Sequence, residues 1–180
     1  MRLMITCLVL LGTLHSGFAK SPSEIAKEYF ELVQKREYTK TAKIYDPSAL
    51  KSFRKTMDFA QELPEDVQDQ VYKTLFGGTA TPELIQSMTD EEFFGTLFLY
   101  VMKQAEVAGN FRMTEAKIVG EVEESDSLAH VVARTTVNIG EMDVESMEIM
   151  SFTKASGEWK ALVSSEINGI PEQLKKSFTR

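Results

Sequence analysis

The apolar pattern of this chain changes period once, at Asn110, and that change constrains the fold more than any other feature. Before it, apolar residues recur at helical spacing between clear start and stop signals. After it, apolar and polar residues alternate in runs separated by short turns, as in strands with one buried face. Helices first and strands second, without interleaving, predict an α+β domain rather than a parallel α/β one.

The helical half is punctuated legibly. Ser21-Pro22-Ser23-Glu24 is a capping box with proline at the first helical position, and Ile25, Tyr29, Leu32 and Val33 follow on one face. A short helix fits Tyr38 to Tyr45. Asp46-Pro47 starts another, with Leu50, Phe53, Met57 and Ala60 along one side, and Leu63-Pro64 breaks it. Val67, Val71 and Leu75 mark a further helix ending at Gly77-Gly78, and Thr81-Pro82 opens a short turn of helix. Thr89-Asp90-Glu91-Glu92 is a second capping box. It leads into Phe93–Met102, apolar almost all round, which predicts a helix buried on most sides and closed by Gly109.

The second half predicts four strands near 113–123, 127–138, 143–153 and 158–166. Glu124-Ser125-Asp126, Gly140 and Ser156-Gly157 supply the turns, and such short connections imply an antiparallel meander of about four strands. Ile170-Pro171 opens a short terminal helix ending at Phe178. No repeat or linker divides residues 20–180, so they are expected to form a single domain.

Residues 1–19 have the layout of a signal peptide: Arg2, an apolar run from Leu3 to Leu14, and small residues before Lys20. The expectation is an exported protein, periplasmic or extracellular, with no membrane association once the leader is removed. Cys7 lies within that leader, so the remainder has no disulfide, thiolate nucleophile or Cys-ligated metal. The formal net charge of −7 argues against nucleic acid as a partner. Basic residues outnumber acidic ones from Lys20 to Thr56 and the balance reverses thereafter; mixed with glutamates, the lysines read as solvated helix faces.

Four phrases, AKEYFELVQKREYTKTAKIYDPSALKSF, DEEFF, SDSLAHVVARTTV and SGEWKALVSSEINGIPEQL, give the chain a pattern that resembles the nuclear transport factor 2-like superfamily, in particular exported bacterial members. The resemblance implies an α+β cone, in which N-terminal helices pack on a strongly curved antiparallel sheet with a pocket on its concave face. It also implies that members either catalyse, as ketosteroid isomerases, polyketide cyclases and scytalone dehydratase do, or bind ligands and partners, many of them dimerising through the sheet. None of those catalytic constellations maps residue by residue onto this sequence.

The residues themselves point the same way. In SLAHVVARTTV, Ala129, Val131, Ala133, Thr135 and Val137 share the small, apolar face expected to meet the helices. His130, Val132 and Arg134 share the other face and are the candidate interface residues of a homodimer through the sheet. Beyond the expected leader, which holds His15 and Cys7, one histidine and no cysteine rule out the usual zinc arrangements, and no calcium-loop or phosphate-loop motif occurs, so neither metal nor cofactor is expected. Glu121, Glu123, Glu124 and Asp126 read as the solvating residues of a turn. Asp46 reads as a helix cap before it reads as a pocket acid, and Ser164-Ser165 lack any nucleophile-elbow context. Tyr29, Tyr45, Phe53, Phe98, Tyr100 and Trp159, with Phe94 among them, fall on elements that the resemblance places around the interior. They are the candidate lining of a pocket for a flat apolar ligand, or else core filling. The expected function is therefore a non-catalytic domain that binds a small apolar ligand or a protein partner. The alternatives are a small isomerase, cyclase or dehydratase using Asp46, His130 or a tyrosine, and a structural dimerisation module.

Overall fold

The computed structural model describes residues 19–109, 111–155 and 157–178, and the expected leader lies outside them but for Ala19. Helix α1 (Pro22–Gln34) starts as the capping box predicts: the Glu24 N–H donates to Ser21 Oγ at 3.2 Å, and the Ser21 N–H to Glu24 Oε2 at 2.8 Å. A 3-10 stretch, Tyr38–Ile44, leads to α2 (Pro47–Thr56), and a second, Asp58–Glu62, to α3 (Glu65–Phe76). Then come α4 (Pro82–Ser87) and α5 (Asp90–Gly109). The strands are β1 (Arg112–Ser125), β2 (Leu128–Ile139), β3 (Met142–Ala155) and β4 (Glu158–Ala161), in spatial order β1-β2-β3-β4 and antiparallel throughout. The short helices α6 (Ser165–Asn168) and α7 (Ile170–Phe178) follow. The architecture is α+β, and the sheet is open rather than closed.

One layer of helices covers one sheet face because β2 presents small side chains to it. Ala129, Val131, Ala133 and Thr135 are all buried, as the alternation predicts, and Phe152 lies beside them on β3. Against them α1 buries Ile25, Ala26, Phe30 and Val33. Both ends of α1 are also tied to β1: the Ser23 N–H donates to Glu121 Oε2 at 2.9 Å, and Gln34 Nε2 to the Thr114 carbonyl at 3.3 Å. β1 carries three register shifts against β2, and such bulges sharpen local twist. Gly140, with φ 65°, turns the chain from β2 into β3 in a conformation that suits glycine.

Helix α5 forms the second buried surface. Phe93, Phe94, Gly95 and Leu97 are buried and the following turns half-buried or exposed, so the all-round apolar pattern is realised in the first half of the helix. Phe94 lies among Tyr45, Phe53 and Phe98 at ring separations of 4.9–6.1 Å. Arg54 ties α2 to this layer. Its guanidinium donates to the carbonyls of Ile85 at 2.9 Å and of Met88, pairs with Asp90 at 3.3 Å and covers the Phe93 ring. The terminal strand is shorter than the sequence implies. It was expected over 158–166, but pairing ends at Ala161 because Ser164 caps α6, accepting from the Ile167 N–H at 3.4 Å.

Gly95 marks the tightest helix approach: a Cβ there would lie 2.9 Å from the Thr39 carbonyl oxygen. Backbone cannot step aside as a flexible side chain can. Gly95→Ala is therefore expected to destabilise the fold by roughly 1–3 kcal/mol despite alanine's better helix propensity, read from urea unfolding midpoints at unchanged m-value.

Candidate ligand hollow between the helices and the third strand

β4 pairs with β3 only from Phe152 to Ala155, and after the Leu162 N–H donates to the Ser151 carbonyl at 2.8 Å the two chains part. The gap between Met147–Ser151 and Leu162–Ile167 opens into a hollow of about 720 Å³. Its helix-side wall is made by Tyr29 and Phe30 of α1 and by Tyr45, which follows the first 3-10 stretch. Tyr45 is fixed from behind: it forms an isolated parallel bridge with Ala161, and the next N–H, of Asp46, donates to the Ala161 carbonyl at 2.8 Å.

The chemistry of the hollow rests on its two phenols. Their rings meet edge to face at 6.1 Å and 86°, an arrangement aromatic pairs favour. Burial raises both hydroxyls above the usual phenol range, Tyr45 further. A hydrogen bond between them raises Tyr45 again and offsets part of the rise at Tyr29. Both therefore stay protonated at neutral pH; one hydroxyl donates to the other, which leaves one hydroxyl hydrogen to offer a ligand. At the rim, hydrogen bonds from its own backbone N–H and from the hydroxyls of Ser164 and Ser165 lower Glu166, which keeps it a carboxylate. Glu148 accepts from Ser146 Oγ at 3.2 Å, and Ser146 Oγ in turn meets Thr135 Oγ1 at 2.9 Å.

The six aromatic candidates are not brought together. Tyr29 and Tyr45 share the hollow. Phe53 is buried against Phe94, and Phe98 packs between Phe94 and Tyr38, so both fill the core. Tyr100 lines a separate open groove with Asp69 and Lys73. Trp159 is buried at a third depression, with Lys154 Nζ 5.3 Å from its ring centre. The sequence reading missed Glu148, Met150 and Ile167 as walls of the hollow. Met150 was within reach of it, since it continues the inward face of Phe152 at period two.

The three residues offered as an acid–base set lie apart. Asp46 is buried as the cap of α2, accepting from the N–H groups of Ser48 and Ala49 at 2.8 and 3.2 Å and from the Ser48 hydroxyl. His130 lies on the sheet face away from the helices, where its ring meets Ser151 Oγ at 3.0 Å and Glu124 Oε2 at 2.8 Å. Val132 beside it is half-buried and Arg134 exposed. Among the described residues no group of three His, Cys, Asp or Glu side chains is placed to hold a metal ion, and no helix is long and apolar enough to cross a membrane.

No family model matches the chain, and no curated protein matches it. Among solved structures it is similar to the solution structure of RPA3114, a SEC-C motif containing protein from Rhodopseudomonas palustris. Identity is 20%, the match covers 59% of this chain and 67% of that one, and the TM-score is 0.31. The resemblance to the nuclear transport factor 2-like superfamily is corrected by this outcome: the match is to a SEC-C motif protein, and no family model supports that superfamily. The physical reason is that capped helices followed by a meander arise from local signals common to many α+β chains, so their order does not identify a family. The signal peptide and secretion expected from the layout of residues 1–19 likewise gain no support from the comparisons.

The raised phenols carry a pH consequence. A group whose folded pKa exceeds its unfolded value stabilises the fold fully below the unfolded value, here the ordinary 10.0 of tyrosine, and loses that contribution as pH rises through the folded one. Urea midpoints are thus expected to hold up to about pH 10 and fall above it. Tyr45→Phe should flatten that alkaline fall, with phenolate absorbance reporting the titration.

Proposed function

We propose that this chain is a binding domain, without catalysis of its own, whose hollow takes a small and largely apolar ligand carrying one hydrogen-bond acceptor. The observation that carries the reading is the protonated Tyr29–Tyr45 pair set in a hollow whose walls carry Phe30, Met150, Val163 and Ile167, with Glu148, Ser151, Ser164, Ser165 and Glu166 among them. Apolar walls with a few converging polar groups suit recognition of a flat molecule. The same site is poorly equipped for proton transfer, which needs a group that changes charge near the working pH. Its phenols are held protonated and Glu166 ionised, while Asp46 and His130 are engaged elsewhere. The test is titration with 2-naphthol, followed by ligand-observed NMR and calorimetry. Binding to the wild type that weakens about tenfold in Tyr45→Phe, as loss of one buried hydrogen bond implies, supports the reading. Equal binding by both proteins, or turnover of a ketosteroid- or polyketide-type substrate lost with Tyr45→Phe, overturns it.

A second reading, association of two copies through the sheet face away from the helices, has its own support. Val122, Met147 and Ile149 are 59%, 53% and 64% exposed there, around the half-buried Val132. Lys117 and Arg134 sit beside each other in register, with Glu115 and Glu145 flanking Thr136, so both signs of charge are available to a two-fold mate. Sedimentation at micromolar concentration should show a dimer that Ile149→Asp dissociates. A monomer at every concentration removes this reading.

A further inference from the structure

The parting of β3 and β4 leaves a second feature, an open strand edge that shares Met147–Met150 with the wall of the hollow. From Met142 to Met150, β3 has β2 on one side and, among the described residues, no strand on the other. Its register against β2 is uninterrupted, so the direction of every backbone group follows from two anchors. The Ser151 carbonyl receives the Leu162 N–H on the β4 side, whereas the Lys154 N–H donates to the Ser127 carbonyl on the β2 side. Odd-numbered residues therefore point outward: Asp143, Glu145, Met147 and Ile149 each direct an N–H and a C=O away from the sheet. The guards on this open edge are its acidic side chains, which oppose a like-charged mate. The stretch holds no lysine, proline or bulge, and nothing of the described chain pairs with it.

Its side chains indicate what kind of strand would fit. Over Glu141–Met150 every charged residue is acidic: Glu141, Asp143, Glu145 and Glu148. All residues from Glu141 to Ile149 are exposed, and the acids alternate with Met142, Val144, Met147 and Ile149. A second copy paired edge to edge would crowd these carboxylates against their equivalents with no cation between them, which disfavours that mate. An extended chain with basic and apolar residues would instead match the edge in both charge and backbone.

We propose that the open edge of β3, Met142–Met150, is a strand-addition site for an extended peptide segment in which basic and apolar residues alternate. The peptide pairs with the outward amides and carbonyls of Asp143, Glu145, Met147 and Ile149, and its basic side chains lie beside Asp143 and Glu145. Backbone pairing supplies affinity and alternate side chains supply selectivity, as in other edge-recognition domains.

The test uses the full chain and a fluorescein-labelled Lys-Val repeat peptide as long as the edge. Its comparators are the Glu-Val counterpart and a Lys-Val peptide N-methylated at every residue, which keeps the charge and removes both bonding edges. The Lys-Val peptide is expected to bind, both comparators to be at least about tenfold weaker, and added salt to weaken binding only in part. Hydrogen exchange by NMR should show new protection at the amides of 143, 145, 147 and 149 and little change at 144, 146 and 148. Met147→Pro removes one outward N–H without taking a bond from β2, and Glu145→Lys reverses one charge; each should weaken binding about tenfold, and either suffices if the other does not fold. Equal binding of the N-methylated peptide, absence of the alternating protection, or a self-paired dimer with those amides already protected overturns the proposal. Glu145 lies on the edge but outside the wall of the hollow, so loss of peptide binding in Glu145→Lys with 2-naphthol binding retained distinguishes this proposal from the hollow as a ligand site.

Discussion

The small side chains on one face of β2 are the constraint on which the rest of the structure depends. Ala129, Val131, Ala133 and Thr135 have essentially no exposed surface, and their small volume lets Ala26 and Phe30 of α1 settle onto the sheet. Once α1 is fixed there, its Tyr29 must face the space beyond β3, and β4 need only be long enough to seal Phe152. The hollow and the open edge are both consequences of that economy: a strand of four residues covers part of a strand of fourteen.

Polar groups buried by this packing are all satisfied, since no buried side-chain nitrogen or oxygen among the described residues lacks a partner. That accounting bears on function. Asp46 holds the first turn of α2, Arg54 closes the carbonyls at the end of α4, and Thr41 Oγ1 donates to the Tyr38 carbonyl at 2.7 Å. The Tyr38 hydroxyl donates to Glu106, which also receives Arg36, the residue that ends the first helix at a positive φ of 59°. These groups resemble chemical machinery in a bare sequence, yet each completes a helix end or a turn.

Much of the architecture was legible because it follows from local rules. Ser21, Asp46, Thr81 and Thr89 accept from backbone N–H groups at helix starts, and the alternation in β2 assigns each of its faces correctly. Less of the candidate site was legible. Tyr29 and Tyr45 are not separated by sequence pattern from Phe53 and Phe98, because all four are aromatic residues within or directly after helical elements. Only the packing reveals that two face a hollow and two face each other's neighbours. The end of β4 was misread for a related reason: Ser164-Ser165-Glu166 continues an alternating pattern and also caps a helix, and the competition is decided by what lies across from it.

By itself the sequence determined the order and type of elements, the buried face of β2, and the capping roles of the serines, threonines and Asp46. Those depend on contacts within a few residues, where steric preference and backbone hydrogen bonding act directly. The tertiary structure alone decided that β3 outruns β4, that two tyrosines meet above the gap, and that four acidic positions lie along an open strand edge. Such facts depend on pairings between distant segments, whose lengths are set by where chains part and not by the residues on either one.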